Sequence, residues 1–139
     1  MGEKRMYGMA LMHLSGIQKG IQFGHAVVDY TNEHITDECR QWATKDKTFI
    51  ILSAHGVTGL EEVILKLNGF NIRHTVFREP DLGNIPTAVC FIVDEVIYGR
   101  TLEELELELF PYLTVGGESY DYFNRKVQIK QFLNQYRLA

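Results

Sequence analysis

Cysteine is scarce in this chain of 139 residues, which holds only Cys39 and Cys90. Two cysteines in different predicted elements make neither a metal-binding motif nor a disulfide framework. We therefore expect two buried thiols in a reducing compartment. The sequence predicts no metal site and no cofactor.

Long apolar runs are also absent. No run approaches the ~20 residues that cross a bilayer. The first residues, Met-Gly-Glu-Lys-Arg-Met-Tyr, lack the apolar segment and cleavage pattern of a signal peptide. We expect a cytoplasmic protein with no membrane contact.

A surplus of basic charge is absent as well. The chain has 14 Lys+Arg against 18 Asp+Glu, which gives a net charge of −4. Nonspecific binding to duplex nucleic acid needs a broad basic surface. This balance suits a small anionic ligand better than a whole tRNA, although a local basic cluster can still hold one phosphate-bearing group.

What the chain does contain is an alternation of predicted strands and helices. Its apolar and charged fractions, 45% and 23%, are ordinary for a globular protein. A strand-helix-strand unit favours a parallel pair, and a short loop before the last strand favours an antiparallel pair. We predict an α/β fold, with a mixed four-stranded sheet in β-α-β-α-β-β order and helices on both faces. The predicted strands are residues 7–14, 48–53, 71–77 and 87–93, and the predicted helices are residues 16–34 and 58–69.

Residues 95–139 are predicted to form a helical extension packed on the α/β domain of residues 1–94. The acidic stretch after Thr101 fits either a helix or a strand. Thr101 and Glu104 favour the helix because together they have the spacing of a capping box. A final helix is predicted from about Ser119.

Three glycines, Gly16, Gly20 and Gly24, stand four residues apart in the first predicted helix and share one of its faces. Glycine inside a helix costs about 1 kcal/mol relative to alanine, so the interior glycines need a reason. Close packing of the helix on the sheet is one interpretation. A site that binds a ligand is the other.

The same helix begins with polar and cationic residues. Ser15 is a good N-cap, and Gln18 completes a Ser-x-x-Gln capping box. Gln18 and Lys19 then lie in the first turn, beside unpaired N–H groups at the positive end of the helix dipole. This start is a candidate anion site, and a merely solvated lysine is the alternative.

Further along this helix, Gln22-Phe-Gly-His-Ala26 forms a Gln-x-x-His-Ala motif. With Trp42 before the second strand and Thr87-Ala-Val in the last strand, it resembles the second family of peptidyl-tRNA hydrolases over roughly residues 5–94. The resemblance implies a mixed four-stranded sheet and a dimer, and we expect a homodimer or higher homo-oligomer. It also implies hydrolysis of the ester that joins a peptide to the 3′ end of tRNA.

In that family a lysine at the first helix and an aspartate after the third strand are implicated in catalysis. The resemblance assigns these roles to Lys19 and Asp81, and Thr87 begins the last strand as the family's threonine does. Aligned on Gln22, the family's lysine position falls on Gln18, and Lys19 is the next residue. The implied catalytic set is Lys19, Asp81 and Thr87.

The loop after the third strand departs from the family. The family has Asp-Ala-Gly-Arg-Thr-Gln in this loop, whereas this chain has Arg78-Glu-Pro-Asp-Leu-Gly-Asn84. The loop of this chain resembles that of the divergent, bacteriophage-borne branch of the family. Glu79 is the alternative to Asp81 as the carboxylate. Arg78 is either a salt-bridging side chain or a phosphate clamp, and Asp81 is either functional or a turn former after proline.

Two histidines have opposite interpretations. His55 follows the second strand, at the end where open α/β sheets bind ligands. His25 shares a helix face with Ile21 and Val28 and is predicted to be buried. The predicted ligand-binding residues are Gln18, Gln22, His55, Arg78 and Asn84.

Two functions remain open, beside a third, purely structural role in which residues 95–139 would serve oligomer contacts. The first is an ester hydrolase acting on peptidyl-tRNA or aminoacyl-tRNA, in which Lys19 holds a phosphate or oxyanion and Asp81 positions water. The second is a non-catalytic protein that binds a nucleotide or cyclic oligonucleotide. That ligand is expected between the first turn of the helix and residues 78–84.

Overall fold

A computed structural model describes residues 2–139. The strands are β1 (Lys4–Leu11), β2 (Thr48–Ala54), β3 (Thr75–Glu79) and β4 (Ile85–Asp94). The helices are α1 (Gly16–Glu33), α2 (Asp37–Gln41), α3 (Gly56–Gly69), α4 (Glu95–Tyr98), α5 (Leu102–Leu109) and α6 (Gly117–Leu133). Shorter π or 3₁₀ turns cover Trp42–Asp46, Pro80–Leu82 and Phe110–Tyr112.

The sheet is mixed, with the spatial order β2-β1-β4-β3. β1 runs parallel to β2, and β4 runs antiparallel to both β1 and β3. Two of these directions follow from the connections, because the helical crossover that contains α1 joins β1 to the parallel β2, and a short loop joins β3 to the antiparallel β4. The predicted α/β fold class is confirmed.

The ends of β1 lie three residues before the predicted ones. The strand begins at Lys4, whose side chain pairs with Asp94 and whose N–H donates to Asp46 Oδ2 at 2.8 Å. It ends at Leu11, because the N–H of Leu14 turns back to the Leu11 carbonyl at 3.2 Å. The predicted span of 7–14 is therefore corrected at both ends.

The start of α3 and the start of β3 also differ from the prediction. β2 ends at Ala54, His55 is the N-cap of the helix, and α3 begins at Gly56, where the backbone turns with φ +66°. Thr58 therefore lies inside the helix. At the other end, the N–H of Ile72 donates to the Leu67 carbonyl at 3.0 Å and Asn71 adopts φ +56°. These turns delay the next strand from residue 71 to Thr75.

Each face of the sheet has its own buried core. α1 covers one face, where its inward side chains join Met6, Ala88, Cys90 and Ile92 of the strands. α3 and α6 cover the other face. The inward residues of α1 are Phe23, Ala26, Val27 and Tyr30, those of α3 are Leu60, Val63 and Leu67, and those of α6 are Ile129, Phe132 and Leu133. Burial of each large apolar side chain contributes roughly 1.5–3 kcal/mol.

The C-terminal residues pack on this frame. Thr101 and Glu104 form the expected reciprocal capping box, so the predicted helix at α5 is confirmed. The end of the chain pairs with β2, where the Ser53 N–H donates to the Arg137 carbonyl at 2.9 Å and the Ala139 N–H donates to Ile51 at 2.8 Å. These bonds cover part of β2, which is an outermost strand of the sheet and has no neighbouring strand on this side.

Candidate functional site

The sequence-predicted site residues lie around one edge of the sheet. At this edge, which we call the carboxyl edge, β1, β2 and β3 end and β4 begins, because β4 is antiparallel to its neighbours. Open α/β sheets bind ligands outside the carboxyl ends of their strands. The first turn of α1 follows β1, His55 follows β2, and the loop of residues 78–84 joins β3 to β4.

The first turn of α1 directs Lys19 towards the sheet. Ser15 caps the helix by accepting a hydrogen bond from the Gln18 N–H at 3.1 Å, as predicted. Lys19 precedes the buried Gln22 and Phe23 by three and four residues, which places the three on one side of the helix. Lys19 is partly buried while Gln18 is exposed. Lys19, rather than Gln18, therefore lies on the sheet-facing side of the helix.

A buried polar network joins α1 to β4 and β3 below this turn. The Thr87 hydroxyl donates to Gln22 Oε1 at 2.6 Å, and Gln22 Nε2 donates to Glu79 Oε1 at 3.5 Å. Thr87 is fully buried and Gln22 is 5% exposed. Because a side-chain amide oxygen is too weak a base to take its proton, this bond holds Thr87 in place without activating it as a nucleophile.

His25 is exposed, and its predicted burial is wrong. Its ring stacks on Phe77 of β3, with centroids 4.6 Å apart and an interplanar angle of 19°. Gln22 contacts the carboxylate of Glu79, and His25 stacks on the ring of Phe77. Both residues thus hold α1 against β3. In this chain the Gln-x-x-His pattern fixes the position of the helix.

The loop after β3 is a compact turn. Pro80 begins the 3₁₀ turn, and Asn84 adopts φ +63° with its N–H donating to the Glu79 carbonyl at 2.9 Å. The side chains of Asp81 and Asn84 are exposed. Of the two carboxylates considered for this loop, Glu79 is the one that contacts Gln22, a connection that residue spacing alone does not indicate.

Arg78 and His55 lie further from this network. The Arg78 guanidinium is 3.7 Å from the Glu61 carboxylate on α3, and both side chains are nearly half exposed. Such a pair contributes little, so Arg78 can exchange it for a ligand. His55 is exposed at the start of α3, and its carbonyl accepts from the Gly59 N–H at 3.1 Å.

The glycines of α1 do not serve packing within the chain. A Cβ atom added at Gly16, Gly20 or Gly24 meets nothing within 4 Å. Ile17 and Ile21 share this outward side and are 77% and 44% exposed. The interpretation of these glycines as a close contact between helix and sheet is therefore wrong.

At the carboxyl edge, every residue from Pro80 to Asn84 is exposed. Four cavities of 190 to 620 Å³ lie elsewhere in the described residues 2–139, and none of them is lined by a sequence-predicted site residue. Cys39 and Cys90 are buried free thiols, as expected, and burial raises the pKa of both. A thiol held protonated is a poor nucleophile, so neither cysteine is a candidate catalytic group.

Within residues 2–139 no helix has both the length and the apolar character needed to cross a bilayer. The same part of the chain holds no group of three His, Cys, Asp or Glu side chains arranged for a metal ion. No protein-family model matches this chain, and no curated protein matches it.

Proposed function

We propose that this chain binds a phosphate-bearing ligand, either the 3′ end of a tRNA or a small nucleotide, at the carboxyl edge of its sheet without hydrolysing it. The position of Lys19 carries the proposal. Lys19 belongs to the first turn of α1, on the sheet-facing side, and this turn also carries N–H groups that have no acceptor inside the helix. Both features attract the same anion.

Binding is favoured over hydrolysis by the polar groups of the edge. The Thr87 hydroxyl donates its hydrogen bond to the Gln22 amide oxygen, and Asp81 is exposed at the tip of a turn. Ester hydrolysis relies on donors held in place where water is excluded. An open surface with an exposed carboxylate supplies little of that environment, whereas it suffices for holding a phosphate.

Hydrolysis of peptidyl-tRNA or aminoacyl-tRNA is the second candidate, and one observation favours it. Glu79 lies at the same edge as Lys19, and its carboxylate is tied to the buried Gln22–Thr87 pair. A carboxylate held in this way is able to orient a water molecule, while the lysine stabilises the oxyanion. In this mechanism Glu79 takes the role that the resemblance gives to Asp81.

The test measures binding and turnover side by side. Binding of a fluorescent RNA oligonucleotide ending in CCA, and of adenosine 5′-monophosphate, is followed by anisotropy and calorimetry. We expect Lys19→Ala to weaken binding by about tenfold, the loss of one charge-assisted phosphate contact. Lys45→Ala removes an exposed lysine from the opposite edge of the sheet and is expected to bind as the wild type does.

Equal binding by the two lysine variants would show that the anion site is elsewhere. Release of the peptide from a peptidyl-tRNA by the wild type would replace the binding proposal with the hydrolase. In that case two variants decide which carboxylate acts in hydrolysis. We expect Glu79→Gln to abolish turnover and Asp81→Asn to retain it.

We also propose that the protein is a cytoplasmic homodimer formed through the outward side of α1. Two buried free thiols suit a reducing compartment. From Gly16 to Asn32, no exposed residue of α1 is Asp, Glu, Lys or Arg. A two-fold interface joins the same surface of two copies, so a face without these charges avoids like-charge contacts.

A further inference from the structure

The outward side of α5 and the turn after it forms an exposed apolar groove. Leu107, Phe110 and Leu113 recur at helical spacing along it and are 72%, 70% and 53% exposed. They line a cavity of about 480 Å³ with Glu103 and Glu106. Clustered large apolar side chains of this kind mark an interaction surface, unlike single apolar residues scattered over a protein.

The inward side of α5 already has its partner. Leu105 and Leu109 are buried against Val127 of α6. The capping box holds α5 at its start, and Arg100 pairs with Glu108 near its end. The groove is thus the outer face of a helix that is fixed in place, so binding there does not require the helix to fold first.

The rim of the groove is negatively charged and uncompensated. Glu103 and Glu106 lie one turn apart, and neither makes an ion pair or a side-chain hydrogen bond within residues 2–139. The other two glutamates of α5 are engaged, since Glu104 caps the helix and Glu108 pairs with Arg100. The groove therefore has exposed apolar side chains along the end of α5 and the turn after it, and two unpaired carboxylates nearer the start of α5.

We propose that this groove binds a cationic amphipathic helix of a partner protein. The apolar side of such a helix fills the space between Leu107, Phe110 and Leu113, and its Lys or Arg side chains reach Glu103 and Glu106. The negative charge of Glu103 and Glu106 argues against nucleic acid, anionic lipid and a second copy of this chain as occupants of the groove. Nucleic acid and anionic lipid are repelled by the two carboxylates, and a two-fold contact with a second copy places four unpaired carboxylates in one interface.

The probe is a fluorescein-labelled Leu/Lys peptide patterned to form an amphipathic helix, and its control is the same peptide with Glu in place of Lys. Anisotropy with the full chain should show binding of the cationic peptide that weakens as salt is added, and no binding of the anionic one. We expect Glu103→Gln/Glu106→Gln and Phe110→Ser each to weaken binding at least about tenfold. Leu107→Ser is the second apolar variant, should Phe110→Ser fail to fold.

Asp37→Asn/Glu62→Gln is the matched control, because it removes the same amount of charge from exposed positions on α2 and α3. It should bind the cationic peptide as the wild type does. The proposal would be overturned if this control lost as much affinity as Glu103→Gln/Glu106→Gln, or if Glu103→Gln/Glu106→Gln kept the wild-type affinity. It would also be overturned if the anionic peptide bound as tightly as the cationic one. A wild-type dimer that Phe110→Ser converts to monomer would also overturn it, because a second copy would then cover the groove.

Discussion

The hydroxyl of Thr87 has a defined structural role at the scale of a single residue. It is fully buried, and its bond to Gln22 Oε1 links positions 65 residues apart in the sequence. The Gln-x-x-His-Ala motif draws attention to Gln22, and the start of the last strand draws attention to Thr87. Their pairing emerges only when the sheet sets α1 over β4, so sequence spacing does not reveal it.

A double-mutant cycle measures that bond. Thr87→Val and Gln22→Met each leave a buried polar atom without its partner, and we expect each to lower the free energy of unfolding by about 1–3 kcal/mol. The double variant removes both polar groups, so its cost should be clearly less than the sum of the single costs. Chemical denaturation followed by circular dichroism gives the three values. Additive costs would mean that the two side chains do not interact.

His25 illustrates why a residue-scale prediction from a helical wheel fails here. Ile21 and Val28 were expected to mark the buried side of α1, but they are 44% and 60% exposed. The side that packs on the sheet instead carries Phe23 and Tyr30. Because α1 is apolar on both sides, periodicity alone does not decide which side faces the sheet.

At the scale of elements, side-chain caps predict where α1 and α5 begin, whereas the predicted start of α3 at Thr58 lies two residues inside the helix. The Ser15 cap gives the start of α1 and the Thr101 cap gives the start of α5, because each satisfies backbone N–H groups within its own turn. The start of β1 depends instead on Asp94 and Asp46, which are distant in sequence. A strand end set by partners in the sheet leaves no local signal.

The close approach of α1 to the sheet depends on a glycine of β1. A Cβ added at Gly8 collides with the Phe23 ring and with the Val89 carbonyl oxygen. We expect Gly8→Ala to lower the free energy of unfolding by about 1–3 kcal/mol, since the backbone oxygen cannot move aside as a side chain does. Gly69→Ala is the matched control, because a Cβ there meets nothing within 4 Å. Thermal and urea unfolding compare the two variants, and similar stabilities would rule out the close contact.

At the scale of the whole molecule, the order of elements is enough to predict the fold class. It also indicates that the first turn of α1, His55 and the loop of residues 78–84 follow strands that end at one edge of the sheet. The charge balance excluded a broad basic surface. The form of the site was not predictable, because whether a strand edge becomes a pocket depends on loops that pack over it. Here the loop of residues 78–84 is a short turn with exposed Asp81 and Asn84, and the edge stays open.

The assembly of the molecule provides the last prediction. Ile17, Ile21 and Val28 form an exposed apolar side on α1 that is rich in glycine, and glycine allows a second helix to approach closely. We expect sedimentation equilibrium to show a dimer for the wild type and a monomer for Ile21→Lys, because the substitution places a charge from each copy in an otherwise apolar interface. Leu65→Lys introduces the same charge at a residue of α3 that is 70% exposed, and it should remain dimeric. A monomeric wild type would remove the dimer from the proposed function, and a monomeric Leu65→Lys variant would move the interface to the opposite face of the sheet.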